Sequence, residues 1–219
     1  MRPLVLIRPE PGLSTSADRA HAMGLEVIRW PLFRIEPVAW SVPDADDFDA
    51  MLLTSANAVR QAGTGLSQVS GLPVYAVGGA TAEAARQADL SVIGVGEAGV
   101  DALLQTVPAN QRLLHLTGAE QAPRSVERTI RDVIVYRSVP IEGATPTALA
   151  RSVIAVHSPR AGRELAARIT DRAAISLAAI SEAAASACGS GWEQVAIAEK
   201  PGDGPLLSLA ATLCQTGGR

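Results

Sequence analysis

Short apolar runs alternate along the chain with alanine-rich stretches in which apolar residues recur at helical spacing. Runs of this kind, rich in Val, Ile and Leu, are typical of buried strands in a parallel sheet that is covered by helices. Strands are predicted at residues 4–7, 26–30, 50–53, 74–77, 91–95, 113–116, 133–136, 153–156, 174–177 and 194–198. Helices are predicted at residues 14–23, 57–62, 81–88, 100–106, 161–169, 182–187 and 206–214. The alternation predicts the α/β class with parallel sheets.

Two parts of the chain resemble each other at a constant offset. Residues 51–58 (MLLTSANA) align with residues 154–161 (IAVHSPRA), and residues 76–82 (AVGGATA) align with residues 179–185 (AISEAAA), each time 103 positions apart. Each aligned pair joins an apolar strand to a polar loop and a helix. We therefore expect two similar α/β domains, each with its own parallel sheet.

Segments that mix β-forming residues with Pro and Gly precede both copies of the repeat, at residues 33–37 and 139–143. Such composition marks strand edges and domain boundaries. Two crossings at these places predict that one of the domains is discontinuous in sequence. The predicted parts are a discontinuous α/β domain at 1–36 and 143–219, an inserted α/β domain at 40–138, and linker strands near 35–40 and 138–145.

Charge and composition exclude several classes of function. The net charge of -3 and the isoelectric point near 5.6, without a run of Lys or Arg, argue against a nucleic-acid partner. The apolar stretch at residues 4–7 is too short for a signal peptide or a membrane span, so we expect a cytoplasmic protein that does not bind membranes. The histidines His21, His115 and His157 lack metal-ligand spacing. The sequence contains neither a Walker-type phosphate-binding loop nor a complete dinucleotide-binding fingerprint. We expect no metal and no cofactor.

The loops that follow the predicted strands are rich in glycine and in hydroxyl side chains. In open α/β sheets, ligands bind beyond the carboxyl ends of the strands, where helix N-termini offer free N–H groups to anions. Taken singly, each Ser or Thr in these loops is better explained as a helix N-cap. The residues alone predict a two-domain, metal-free protein that binds a polyanion, for which a polycarboxylate is one candidate. The strand-end residues are Arg8, Thr54, Ser55, Gly78, Thr81, His157, Ser158, Ser181 and Lys200.

Four of these segments, in this order, resemble motifs of the uroporphyrinogen-III synthase family, and the resemblance covers nearly the whole chain. They are LIRP at 6–9, LTSANAV at 53–59, AVGGATA at 76–82 and VYRSVP at 135–140. The second half of the chain departs from the family pattern. His157 stands where Thr is usual, Ser181 where Gly is usual, and Ala184 where the family has a second threonine.

The resemblance implies two α/β domains joined by a two-stranded linker, with hydroxymethylbilane bound in the cleft between them. This substrate is a flexible linear tetrapyrrole that carries many carboxylates. The implied reaction is that of a cyclising hydro-lyase in haem biosynthesis. The terminal hydroxyl leaves as water with help from a pyrrole nitrogen, and an azafulvene and a spiro intermediate lead to uroporphyrinogen III with ring D inverted. The main task of the protein would be to hold the chain in the conformation that favours spiro attack.

The resemblance also implies roles for individual residues. Tyr136 is placed at the cleft, where its phenol could hydrogen-bond to the departing hydroxyl or protonate it. A purely structural role, as a core aromatic residue of a linker strand, explains the presence of Tyr136 equally well. Arg137 joins Arg8 and Lys200 as a possible charge partner, although a solvated surface arginine is the commoner situation. Substrate carboxylates are assigned, chiefly through main-chain N–H groups, to Thr54, Ser55, Gly78, Thr81, His157, Ser158 and Ser181.

Two other functions compete with this interpretation. A non-catalytic sensor of tetrapyrroles or other small molecules could keep the fold, and the missing threonine at Ala184 is the best support for it. A two-domain solute receptor fits the architecture but conflicts with the lack of an export signal. Nothing in the sequence demands an oligomer, so we expect a monomer.

Overall fold

The computed structural model describes residues 1–121, 124–143, 145–146 and 149–216. The chain divides into two compact units: unit 1 comprises Met1–Arg34 and Pro140–Arg219, and unit 2 comprises Ile35–Val139. Residue 144 of the predicted linker at 138–145 lies outside the described residues, as do residues 147, 148 and 217–219 of the predicted discontinuous domain. The boundaries predicted for the two domains stay a prediction.

Eleven strands and seven α-helices are present in the described part of the chain. The strands are β1 (Leu4–Leu6), β2 (Val27–Arg29), β3 (Phe33–Pro37), β4 (Ala50–Leu53), β5 (Val74–Val77), β6 (Val92–Gly96), β7 (Leu113–Gly118), β8 (Ile130–Pro140), β9 (Val153–Val156), β10 (Ser176–Ala179) and β11 (Gln194–Ile197). The α-helices are α1 (Gly12–Ala22), α2 (Ala56–Gln61), α3 (Gly79–Gln87), α4 (Val100–Thr106), α5 (Pro159–Arg168), α6 (Glu182–Ala187) and α7 (Asp203–Thr216). Short 3-10 helices span Ala45–Asp47 and Gly63–Gln68.

Unit 1 contains a five-stranded sheet in the order β11-β10-β9-β1-β2, and all of its neighbouring strands are parallel. Successive side chains of a strand point to opposite faces, and here both faces are covered. Val5 and Ile154 pack into the core beside α5 and α6, whereas Leu4 and Val153 pack into the core beside α1 and α7. Burial on both faces explains why these strands are continuous apolar runs in the sequence.

Unit 2 contains a six-stranded sheet in the order β3-β8-β7-β4-β5-β6, in which the strands from β8 to β6 run parallel. Met51 and Leu53 face one apolar core, and Ala50 and Leu52 face the other. The order β6-β5-β4-β7-β8 repeats the order found in unit 1. The prediction of an α/β fold with two similar parallel sheets is confirmed.

Strand β8 is the largest departure from the predicted elements, because it extends over Ile130–Pro140 and not only over residues 133–136. Only Val135 is fully buried along it, and charged residues such as Arg131 interrupt its apolar pattern. Its neighbour β3 lies in the segment that was predicted as a linker. Among the described residues, no helix has both the length and the apolar character needed to span a membrane.

Candidate functional site

Three of the predicted binding serines cap helices at the carboxyl ends of strands. Ser55 accepts a hydrogen bond from the N–H of Asn57 at 3.2 Å, and Ser158 accepts one from the N–H of Ala161 at 3.1 Å. Ser181 caps α6 in the same way, with 3.3 Å between its Oγ and the main-chain nitrogen of the third helical residue. Each cap uses a lone pair of the hydroxyl oxygen, so the hydroxyl hydrogen can still donate to a ligand.

The loop between β5 and α3 presents free main-chain donors. Gly78 has φ +80°, a left-handed conformation that favours glycine, and its N–H donates to the carbonyl of Gly96 at 2.8 Å. The N–H groups of Gly79 and Ala80 open α3, and no described residue accepts a hydrogen bond from them. Thr81 is buried, and its N–H donates to the carbonyl of Gly78 at 3.1 Å. The accessible donors of this loop are therefore Gly79 and Ala80.

Thr54, directly after β4, is hydrogen-bonded to a buried histidine. Its Oγ1 lies 3.0 Å from Nε2 of His115, whose Nδ1 lies 2.7 Å from Oδ1 of Asp132. Asp132 is also held by Arg124, whose two terminal nitrogens lie 2.9 and 2.7 Å from the two carboxylate oxygens. We call Thr54, His115, Asp132 and Arg124 the Thr54 relay.

The electrostatics of the Thr54 relay favour a neutral imidazole. Burial lowers the pKa of His115 below its usual value, and the neighbouring carboxylate of Asp132 only partly offsets this effect. Burial alone would raise the pKa of Asp132, but hydrogen bonds from Arg124 and His115 outweigh it, so the pKa lies below its usual value. At neutral pH the relay therefore contains a carboxylate, a guanidinium and an uncharged histidine.

Sequence reasoning did not connect these residues. His115 was considered only as a metal ligand, while Asp132 and Arg124 were not singled out. The signal lies in the strand register, because His115 of β7 pairs with Asp132 of β8. Residues at paired positions of neighbouring strands project to the same face of a sheet, so their side chains meet. This pairing is visible only once the strand order is known.

Tyr136 lies over a glycine at the end of β7. A Cβ built on Gly118 would lie 2.6 Å from Cζ and 2.9 Å from Oη of Tyr136, so the ring occupies the place of a side chain. The N–H of Ala119 donates to the carbonyl of Tyr136 at 2.9 Å. The ring packs against the core of unit 2, and no described residue hydrogen-bonds to its hydroxyl. The phenol is thus half-buried, with a donor that the described residues leave unused.

Two of the three predicted charge partners, Arg137 and Lys200, differ in their surroundings. Arg137 contacts Glu36 of β3 through Nη2 at 2.9 Å and Nε at 3.2 Å, and its side chain is 59% exposed. Lys200 follows β11, is exposed, and makes no ion pair with any described residue. Lys200 is therefore the more available cation of the two.

In unit 1, Arg8 and His157 meet at a carboxylate that the sequence did not single out. Asp203, in the first turn of α7, lies 3.0 Å from Nη1 of Arg8 and 3.0 Å from Nε2 of His157. Ser16 and Arg19 of α1 also donate to Asp203, at 2.6 and 2.8 Å. We call Arg8, Ser16, Arg19, His157 and Asp203 the Asp203 cluster.

Burial controls the charges of the Asp203 cluster. Burial alone would raise the pKa of Asp203, but hydrogen bonds from His157 and Ser16 and the charge of Arg8 outweigh it and hold the pKa well below its usual range. Burial lowers the pKa of His157, more than its hydrogen bond to Asp203 raises it. Burial also lowers the pKa of Arg8, and Asp203 only partly offsets this effect. His157 is neutral at physiological pH, and part of the hydrogen-bonding capacity of Arg8 is already used.

Within the ranges that the structure describes, no three His, Cys, Asp or Glu side chains form a group that could hold a metal ion.

Comparison with known proteins adds a family to this geometry. The family model described as uroporphyrinogen-III synthase HemD matches residues 14–208. Among solved structures, a uroporphyrinogen-III synthetase from Helicobacter pylori is similar to the chain, with 17% identity, a TM-score of 0.66, and coverage of 97% of this chain and 100% of that one. A mutant uroporphyrinogen III synthase from Thermus thermophilus is also similar, with 17% identity, a TM-score of 0.57, and coverage of 97% and 99%. No protein of curated function matches the chain. The two structural matches support the fold, and the family match extends over most of the sequence, so the chain belongs to the uroporphyrinogen-III synthase family.

Proposed function

We propose that this chain acts as its family does, as a cyclising lyase of haem biosynthesis. It closes hydroxymethylbilane to uroporphyrinogen III, with loss of water and inversion of ring D, and it needs no cofactor. The match of the family model over residues 14–208 carries this proposal. The same match does not favour the alternative, a tetrapyrrole or small-molecule sensor without activity.

An isomer assay tests the proposal. Purified protein is incubated with freshly generated hydroxymethylbilane, and the products are oxidised and separated. We expect the type III isomer from the enzyme, and the type I isomer from the spontaneous closure that occurs without it. If the protein yields only the type I isomer, the chain is not a synthase, and the sensor becomes the better explanation.

We propose that the strand-end loops bind the substrate carboxylates. The free N–H groups of Gly79 and Ala80 support this assignment, because an anion gains from several main-chain donors at a helix N-terminus. The serine caps contribute as well, since Ser55, Ser158 and Ser181 each keep a hydroxyl hydrogen to donate. The same proposal includes Thr54, Gly78, Thr81 and His157, chiefly through their main chain and not their side chains, and the cations Arg8, Arg137 and Lys200.

We propose that Tyr136 assists the departure of the hydroxyl. Its phenol has no hydrogen-bond partner among the described residues, so it can donate to the leaving oxygen without first breaking another bond. Because the ring is held against Gly118, the hydroxyl has a defined position, which general-acid catalysis requires.

We further propose a cytoplasmic monomer with a discontinuous domain at 1–36 and 143–219 and an inserted domain at 40–138. Static light scattering at increasing protein concentration tests the monomer, because a dimer would double the measured mass. Limited proteolysis tests the boundaries, since exposed linkers between domains are the preferred sites of cleavage. Fragments that end far from residues 35–40 and 138–145 would contradict them.

A further inference from the structure

The geometry of the Thr54 relay favours one direction for the hydrogen bond between Thr54 and His115 at the carboxyl end of β4. The decisive distance is 2.7 Å between Nδ1 of His115 and Oδ1 of Asp132. A carboxylate oxygen and an unprotonated nitrogen would repel each other at this distance, so the charge of Asp132 favours the tautomer with the hydrogen on Nδ1. Nη1 of Arg124 lies 2.9 Å from Nδ1 and 2.9 Å from Oδ1, and Nη2 lies 2.7 Å from Oδ2. Because a guanidinium only donates, and the charged carboxylate is the stronger acceptor, we assign its hydrogen bonds to Asp132.

This tautomer determines what Thr54 can do. A neutral imidazole with the hydrogen on Nδ1 has a lone pair on Nε2, so Nε2 accepts the hydroxyl hydrogen of Thr54 over 3.0 Å. A threonine hydroxyl has a single hydrogen and two lone pairs. With that hydrogen directed to His115, the hydroxyl oxygen of the half-buried Thr54 can only accept a hydrogen bond from a ligand.

We propose that Thr54 accepts a hydrogen bond from a pyrrole N–H of the substrate, and that His115, held by Asp132 and Arg124, is the positioning residue that fixes this polarity. The inference rests on the proposed function, which supplies a tetrapyrrole. A substrate carboxylate cannot bind to the Thr54 hydroxyl, because two acceptors would face each other. The hydroxyl thus recognises the ring nitrogens, which the main-chain donors of the neighbouring loops cannot bind.

The chemistry of the reaction strengthens this contact. When a pyrrole nitrogen helps to expel the hydroxyl, it gains positive charge, and its N–H becomes a stronger donor. A neutral acceptor at the N–H therefore binds the charged azafulvenium state more tightly than the ground state, which is how binding energy accelerates a reaction.

The first test measures the tautomer in the wild-type protein and does not depend on activity. Long-range proton–nitrogen NMR correlations of the imidazole rings distinguish hydrogen on Nδ1 from hydrogen on Nε2, and a His115→Gln variant assigns the resonance. We expect His115 to carry its hydrogen on Nδ1 at neutral pH. A hydrogen on Nε2 would overturn the inference, whether or not the protein is a synthase.

The second test measures kcat/KM for formation of the type III isomer. Thr54→Val removes the acceptor while keeping the shape, and we expect a loss of about five- to ten-fold, as for one neutral hydrogen bond. Thr54→Ser keeps the hydroxyl and should lose less. In Asp132→Asn, the new amide can donate to Nδ1 of His115 and so move the hydrogen to Nε2. The loss of kcat/KM in this variant should equal or exceed the loss in Thr54→Val.

A matched variant separates polarity from stability. Asp49→Asn also removes a carboxylate of unit 2 that pairs with an arginine, Arg112, but Asp49 does not contact His115. It should leave kcat/KM unchanged. If the wild type forms the type III isomer and folded Thr54→Val has the same kcat/KM, the inference about Thr54 is wrong while the proposed function stands. A wild type that yields no type III isomer, with His115 still protonated on Nδ1, would instead remove the proposed function.

Discussion

The contact between Gly118 and Tyr136 allows the position of the phenol to be changed without changing the phenol itself. In Gly118→Ala, the new Cβ would lie 2.6 Å from Cζ, 2.8 Å from Cε2 and 2.9 Å from Oη of Tyr136. Real Cβ atoms do not approach other atoms so closely, so the ring must move. Overpacking of this kind costs about 1–3 kcal/mol of folding free energy. For a chain of this length, that corresponds to a fall of roughly 2–12 °C in Tm.

If Tyr136 assists the leaving hydroxyl, the displacement also lowers turnover. A shift of about 1 Å in a catalytic group can reduce the rate by about a hundred-fold, so we expect kcat of Gly118→Ala to fall by roughly ten- to a hundred-fold. The assay is the initial rate of type III isomer formation, with unfolding followed by circular dichroism. The double variant with Tyr136→Phe should be little slower than the slower single variant, because both changes remove the same interaction.

Unit 2 offers a matched control for this experiment. Gly94 of β6 lies against Tyr75 in the same manner, with 2.7 Å between a built Cβ and Cδ1 of the ring. Gly94→Ala should therefore reduce stability by a similar amount while leaving kcat unchanged, since Tyr75 belongs to the core. Equal kcat values for Gly118→Ala and Gly94→Ala would refute the role assigned to Tyr136.

Three further predictions follow from single residues. Tyr136→Phe should lower kcat about ten-fold or more, since it removes only the proton donor. Steady-state rates of the variant and the wild type measure the change, and an unchanged kcat would contradict the role of Tyr136. Ser55→Ala should cost about 1 kcal/mol of stability as a lost cap but change KM by less than about five-fold, and complete loss of substrate binding would contradict main-chain recognition. Asp203→Asn should cost about 1.5–3 kcal/mol at pH 7, because Arg8 and His157 lose a charged partner. Since the folded pKa of Asp203 is depressed, its contribution is present above the usual carboxyl pKa and fades as the pH falls below about 4. Denaturant titrations of both proteins at pH 7 and about pH 3 should show the difference shrinking.

The sequence predicts an element well where burial is uniform along it. Strands β4, β5 and β9 begin and end where the apolar runs do, because both faces of these strands are covered. Strand β8 is longer than its apolar run, because most of its side chains are partly or fully exposed and a charged residue costs little there. Hydrophobic pattern therefore located the strands but not the full length of a strand that is half solvated.

In the candidate site, too, the sequence predicts local contacts and misses contacts between distant residues. The serine caps could be predicted from the sequence because a cap is a local contact. Ser55, Ser158 and Ser181 bind main-chain N–H groups two or three residues further along the chain. The relay from Thr54 to Asp132 and the contact of Arg8 with Asp203 join residues far apart in the sequence. No local pattern encodes such pairs, since they depend on the order and register of the strands.

The internal repeat places Thr54 and His157 at equivalent positions, and the two positions have diverged in charge. In unit 2, the charge of Asp132 is matched by that of Arg124 and the histidine is neutral, so the Thr54 relay itself carries no net charge. A neutral acceptor in this environment can bind the N–H of a pyrrole, whereas it offers no charge to attract a carboxylate.

In unit 1, His157 is itself neutral, and the carboxylate that it contacts, Asp203, also binds two arginines. Arg8 and Arg19 both donate to Asp203. Two guanidinium groups against one carboxylate leave one positive charge in the Asp203 cluster, and Lys200 adds another that no described acid neutralises. Excess positive charge at the carboxyl ends of parallel strands attracts carboxylates at long range, whereas the neutral relay orients a ring at short range. We infer that the duplicated sheet kept one architecture while this shared position took two tasks: His157 belongs to a positively charged cluster that attracts carboxylates in unit 1, and Thr54 recognises a ring nitrogen in unit 2.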